Sequence, residues 1–236
     1  MNPYNLKIIL LAGLVFQAGA ELPAQEAEAA VKISTLSLDG RPRDLYFESA
    51  GKVVSIYAFK NQRSQTIEYR GPETITFFRK STELDENGEA KRIPAGSCRL
   101  LGDSQEYLLI FSKDPSDSER YRIFAMNEAW STFPPGAYRF LNLSEYEIAL
   151  KLDEEVHRIK PQNFTDISGN FAENSNQRAI MVSLPEGKSP LKVFEGFMYH
   201  TKGLRMLYLI SPKGDQQSGQ VQFTAIPQKI PNPVGR

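Results

Sequence analysis

The chain is short of the residues that most enzymes and metal proteins rely on. It has one cysteine, two histidines and one tryptophan in 236 residues. One cysteine excludes an internal disulfide framework and any multi-cysteine metal site. Neither sign of charge is in excess, with 28 Lys+Arg against 28 Asp+Glu. There is no basic block, so the electrostatic footprint of a nucleic-acid-binding protein is missing. The longest apolar run, Ile8 to Phe16, has nine residues. A bilayer span needs about 20.

That run reads as an address. Lys7 precedes it, and Ala18 and Ala20 follow it as a small-x-small cleavage site. We expect residues 1–20 to be a signal peptide cut after Ala20, with Ala24 as the second choice. No cysteine follows to carry a lipid. The mature chain then has net charge −1, no integral membrane segment and a periplasmic or secreted destination. Residues 21–30, rich in Ala and Glu, read as a flexible leader.

From Val31 onward, short runs of β-branched and aromatic residues recur between turn signals. Val54, Ile56 and Ala58 share a face by period-two alternation. Tyr121, Ile123 and Ala125 do so too, as do Val221, Phe223 and Ala225. Asp39-Gly40, Asn87-Gly88 and Pro185-Glu186-Gly187 favour chain reversal. No helical stripe reaches two turns; Met126–Trp130 suits one short turn. The fold class predicted is all-β, as two tandem antiparallel immunoglobulin-like sandwiches. Ser131-Thr132-Phe133-Pro134-Pro135-Gly136 marks the junction. The expected division is 31–130 for the first sandwich, 136–226 for the second and 227–236 for a Pro-rich tail. Tyr107–Asp114 and Met206–Lys213 resemble each other, and an alternating strand follows each, so both halves are expected to end on the same hairpin.

Candidate chemistry is sparse. Cys98 fits no nucleophile signature and reads as a small core residue. His157 is expected on a solvent face, and His200 at a strand end before the turn Thr201-Lys202-Gly203. Neither has a partner at ligand spacing. No Gly-x-Ser-x-Gly is present. An EF-hand numbered from Glu83 places Gly88 sixth but puts Pro94 where the bidentate Glu belongs, so Asn87-Gly88 reads as a β-turn. Glu48, Glu68, Glu106 and Glu195 could supply the paired carboxylates of a glycoside hydrolase, and sequence ranks none of them. Asn142-Leu143-Ser144 and Asn163-Phe164-Thr165 fit the glycosylation pattern. No catalytic, cofactor or metal residue is assigned.

Phe133-Pro134-Pro135-Gly136-Ala137-Tyr138-Arg139-Phe140-Leu141-Asn142-Leu143-Ser144, with the segments through Pro161, resembles the opening of immunoglobulin-like modules in secreted bacterial proteins of unknown function. In those modules such a strand is followed by an extended strand and a Pro-containing turn, here Lys160-Pro161; Asn142, after an alternating strand, is expected to bond its own backbone and shape the turn. Gly136–Asn142 is also similar to the entry strand of the second domain of periplasmic pilus chaperones. That resemblance implies strand lending and an Arg–Lys anchor for a carboxylate, a pair that has no defined positions here. The function expected is an exported, non-enzymatic binding module whose partner is a protein or glycan in the envelope or outside the cell. The rivals are a pilus-chaperone-like or secretion-accessory protein and a two-carboxylate carbohydrate-active hydrolase.

Overall fold

The structure, a computed structural model, describes residues 28–114, 116–169, 171–213 and 218–229. The expected signal peptide lies outside them. Among the described residues, sixteen strands form four four-stranded sheets. The first half holds β1 (Glu28–Ser37), β2 (Tyr46–Ser49), β3 (Lys52–Ser55), β4 (Ile67–Pro72), β5 (Thr74–Leu84), β6 (Ala90–Arg99), β7 (Glu106–Asp114) and β8 (Asp117–Asn127). The second half holds β9 (Tyr138–Asn142), β10 (Glu147–Leu152), β11 (Glu155–Ile159), β12 (Asn163–Ile167), β13 (Ser175–Leu184), β14 (Leu191–His200), β15 (Leu204–Pro212) and β16 (Val221–Lys229).

The halves share one topology. The sheet orders β4-β1-β7-β8 and β3-β2-β5-β6 recur as β12-β9-β15-β16 and β11-β10-β13-β14. Each strand thus has its counterpart eight places later. In both halves the first strand runs parallel to the seventh, β1 beside β7 and β9 beside β15. The hairpin resemblance read from sequence falls on corresponding strands, β7–β8 and β15–β16.

Alternation builds a core in each sandwich. Ile33, Phe47, Ile75, Phe77, Tyr107, Leu109 and Phe111 fill the first, with Val54 and Tyr121 at its margin. Tyr138, Phe140, Leu150, Met181, Tyr208 and Ile210 fill the second. A third apolar layer joins the two sandwiches. Leu36, Leu108, Ile110 and Met126 on the outer face of sheet β4-β1-β7-β8 meet Leu141, Leu207, Leu209 and Ile226 on the outer face of sheet β12-β9-β15-β16. The molecule is therefore a stack of four sheets with three apolar layers between them. The two inner sheets are covered on both faces, which is why Tyr107 to Phe111 is buried without a break.

Some boundaries differ from those read in the sequence. β1 begins at Glu28, inside the expected leader, because Glu28 to Ala30 pair with Arg70 to Pro72. β16 continues to Lys229 and takes in Pro227, which is tolerated because β16 is a sheet edge. The turn expected at Met126–Trp130 falls at Ala129–Phe133, where the Phe133 N–H donates to the Ala129 carbonyl at 2.9 Å. The strand β6, expected beyond the Asn87-Gly88 turn, carries Pro94 and Gly96, two poor strand residues. It is an edge strand, and its register slips at Phe77/Phe78. Gly96, with φ 155°, lies so close to β8 that an added Cβ would sit 2.5 Å from the Tyr121 carbonyl oxygen. Only glycine fits there.

Candidate functional site

The halves differ most at one ladder. In the second half, β10 pairs with β13 over six positions, from Glu147↔Leu184 to Leu152↔Ala179. In the first half, the corresponding strands β2 and β5 share one pair among the described residues, Tyr46↔Phe78. The cause is local. β4 runs into β5 through the single residue Glu73, whereas Ile167 and Ser175 are separated by a loop. The short crossing holds the start of β5 close to the neighbouring sheet. β2 then leaves β5 and closes on β4. The Ala50 N–H donates to the Arg70 carbonyl at 2.7 Å, and the Arg70 N–H donates to Ser49 Oγ at 3.0 Å. Nine residues, Arg70 to Phe78, thus bow around a chord of five, Tyr46 to Ala50.

A groove of about 750 Å³ lies over this opening. Thr74, Thr76 and Phe78 of β5 line it with Glu48, Arg92 and Pro94. Arg92 is held by Glu48 at 2.7 Å and lies over the Phe78 ring, 4.6 Å from its centroid. Tyr46 also stacks with Phe78 at 6.1 Å, with the Lys80 ammonium 4.9 Å from its own ring centre. Glu28 and Arg70 stand at the rim. The groove is therefore a mostly apolar concavity edged by two acids and two bases.

A second feature sits at one end of the layer between the sandwiches. Arg205 is fully buried and spans both halves. Its Nη1 donates to the carbonyls of Glu128 at 2.9 Å and Phe133 at 2.8 Å, and its Nε donates to Gln228 Oε1 at 2.8 Å. The Glu128 carboxylate receives Arg205 at 3.2 Å and Arg63 at 2.5 Å. Arg139 is bound bidentately by Asp166 at 2.6 and 2.7 Å, with Glu128 at 4.0 Å. The Arg205 guanidinium lies 3.8 Å from the centre of the Trp130 ring. Burial brings its pKa down to about 10, against the pull of Glu128. The group remains a cation at neutral pH, so the cluster works as a clamp between sandwiches and offers no proton to exchange.

The residues singled out from sequence are scattered. Cys98 is buried on β6 in the first core, and desolvation pushes its thiol up to about 12. It is inert packing, as its sequence context implied. Glu68 and Glu106 do come together, flanking Lys32 across three neighbouring strands at a cleft of about 370 Å³ between the sandwiches. Glu48 lies in the groove of the first half and Glu195 on the far sheet, bound by Lys192 at 3.1 Å. His157 was expected on the solvent face. It is instead half-buried opposite Leu150 on the inward side of β11, 3.6 Å from Glu155. Asn142 cannot accept a glycan, because it is fully buried. Its Nδ2 donates to the Tyr146 carbonyl at 2.7 Å, and its Oδ1 accepts from Ser144 Oγ at 2.7 Å. That is the turn-shaping role inferred from its position. At Asn87-Gly88, Asp85 Oδ1 accepts the N–H groups of Asn87 and Glu89 at 2.9 Å, giving the β-turn. Among the described residues, no three His, Cys, Asp or Glu side chains converge as metal ligands would. Sequence reasoning missed Arg139, Arg205, Glu128 and the groove.

His200 is buried against Tyr138 and Phe171, with ring centroids 5.8 and 5.3 Å away, and its Nδ1 has no partner. Burial pulls its pKa below the ordinary 6.5, Glu173 opposing and Lys202 adding to the effect. The unfolded chain therefore takes up this proton first as pH falls. Stability from neutral His200 is complete above about pH 6.5 and declines below it. Denaturant unfolding at pH 7.0 and 5.5 checks this. His200→Gln is expected to lose less stability over that interval than wild type. An equal loss in both proteins would count against it.

No protein-family model and no curated protein matches this chain.

Proposed function

We propose that the protein is an exported, non-enzymatic binding module of the envelope or extracellular space, and that its partner, a protein or glycan, sits in the groove over β5. The observation carrying this is the contrast between two halves of one topology. The β10–β13 ladder is closed along its length, and the β2–β5 ladder is reduced to one pair with a groove of about 750 Å³ over the gap. Concave sites with a few fixed polar groups are where ligands bind. The Glu48–Arg92 pair and the Thr74 and Thr76 side chains supply those groups on rigid strands. The apolar run before Ala18 and Ala20 supports export.

The test is site-specific photocrosslinking in the organism that makes the protein. A benzoylphenylalanine at Thr76 is expected to trap an envelope or extracellular component, and one at Glu195 on the opposite outer sheet is not. Equal adducts at both positions, or none at Thr76, would overturn the binding site. Mass spectrometry of the same material is expected to give an N-terminus at Glu21. A chain still beginning at Met1 would overturn export.

A further inference from the structure

The backbone in the groove is as informative as its side chains. The carbonyl of Glu73 faces β6, where it accepts the Leu100 N–H at 2.9 Å. β5 then pairs with β6 through Thr74↔Arg99, Ile75↔Cys98, Thr76↔Ser97 and Phe77↔Gly96. Hydrogen-bonding direction alternates along an antiparallel ladder. Since Glu73 points at β6, Ile75 and Phe77 do so too, and Thr74 and Thr76 direct their N–H and C=O groups the other way. That way lies β2, whose Glu48 lines the groove with Ala50 and Gly51 just after it. β2 would pair with these groups if the first half were built like the second. Among the described residues no strand pairs with this side of Thr74 to Thr76. Immediately upstream, the Pro72 carbonyl is taken by the Tyr69 hydroxyl at 2.6 Å, and Pro72 has no N–H. The open stretch is thus bounded by Pro72 on one side and by the Tyr46↔Phe78 pair on the other.

We propose that this stretch of β5 is a docking edge for an extended peptide segment of a partner protein. The segment would add as a short strand and exchange four main-chain hydrogen bonds with Thr74 and Thr76. The inference rests on the binding-module reading and narrows its partner to a polypeptide. Two donors and two acceptors alternate along one line at the two-residue repeat of a strand, and another strand is what matches that spacing. A glycan has no such repeat. Charge narrows the segment further. Glu48 and Arg92 neutralise each other, and Glu28 and Arg70 balance at the rim. The groove therefore suits a segment without net charge, with an apolar side chain against Pro94 and Phe78.

The decisive reagents change only the backbone. Full-length mature protein is titrated with an immobilised library of blocked, uncharged heptapeptides, and the best binder is remade with N-methyl groups at its central residues. N-methylation is expected to weaken binding by about tenfold or more, since each methyl removes a main-chain donor from the added strand. Amide exchange at Thr74 and Thr76 should be fast in the free protein and slowed at least tenfold by the peptide, while Ile75 and Phe77 are protected in both. Thr76→Pro removes a donor on the side of β5 that no strand pairs with among the described residues. It should keep the melting temperature within a few degrees and lose peptide binding. Should that variant misfold, the N-methylated peptide and the amide exchange decide the matter alone. The proposal is overturned if no heptapeptide binds, if the N-methylated peptide binds equally well, or if Thr74 and Thr76 stay unprotected in the complex. A glycan adduct at Thr76 in the crosslinking experiment, with no peptide binding, would sink the peptide edge and leave the binding-module reading standing.

Discussion

Glu128→Gln is expected to cost about 3–5 kcal/mol of stability, the range for breaking a buried ion pair from one side. Glu128 is 3 % exposed and receives Arg63 and Arg205, with Arg139 next in line. The neutral amide keeps the shape and removes the charge that holds Arg63 and Arg205. Arg205 is fully buried, so it has no water to turn to. Asp166 does not compensate, because Arg139 already occupies it with two hydrogen bonds. The chain's one tryptophan, Trp130, packs on Arg205, so its fluorescence reports on this spot. Urea unfolding followed by Trp130 should give the loss. A loss below about 1 kcal/mol, the scale of an exposed pair, would refute the clamp. Asp166→Asn should cost less, since that carboxylate is partly open to solvent, 30 % exposed.

Leu209→Asp should divide the molecule. Leu209 faces the layer between the sandwiches with Leu141 beside it, and it is 3 % exposed. An aspartate there buries an unpaired charge in an apolar seam, a cost of several kcal/mol. Separating the sandwiches relieves it, because each half keeps its own core. Where the wild type unfolds in one transition, this variant should show two. It should also be cut faster by protease in the connection between Asn127 and Tyr138. A single sharp transition with the wild-type midpoint would show that the layer does not couple the halves. Thr224, the cross-strand neighbour of Leu209 on β16, is the control position, where Thr224→Ser should leave one transition.

Much of this architecture was legible in the residues, and the failures have physical causes. Period-two alternation, in Val54-Ile56-Ala58 and on the inner-sheet edge strands β8 and β16, gave two sandwiches. The stacking of those sandwiches also leaves a mark. Tyr107 to Phe111 is apolar at five consecutive positions, the pattern of a strand covered on both faces. Nothing in that run alone says what covers its second face, so the third apolar layer was not read. Arg139 and Arg205 were missed for the same reason. A charge on the outward face of a strand is usually in water, but here the outward face meets a second sheet. β6 was legible as the strand beyond the Asn87-Gly88 turn that carries Cys98, although Pro94 and Gly96 are poor strand residues, because an edge position forgives them. The groove could not be read at all. It depends on a one-residue crossing at Glu73 and on where β2 closes, and neither has a local signature.

The parallel pairing of first and seventh strands sets a clock. Ile33 meets Tyr107, and Tyr138 meets Met206, so a half is sealed only when its own late strands have been made. Such long-range closures fold in milliseconds to seconds, well behind helical proteins of similar size. In the first half, the parallel partner of β1 is six strands further on, and no local pairing can stand in for it. The newly made polypeptide therefore stays open through most of the synthesis of each half, and its last hairpin turns a loose chain into a closed one.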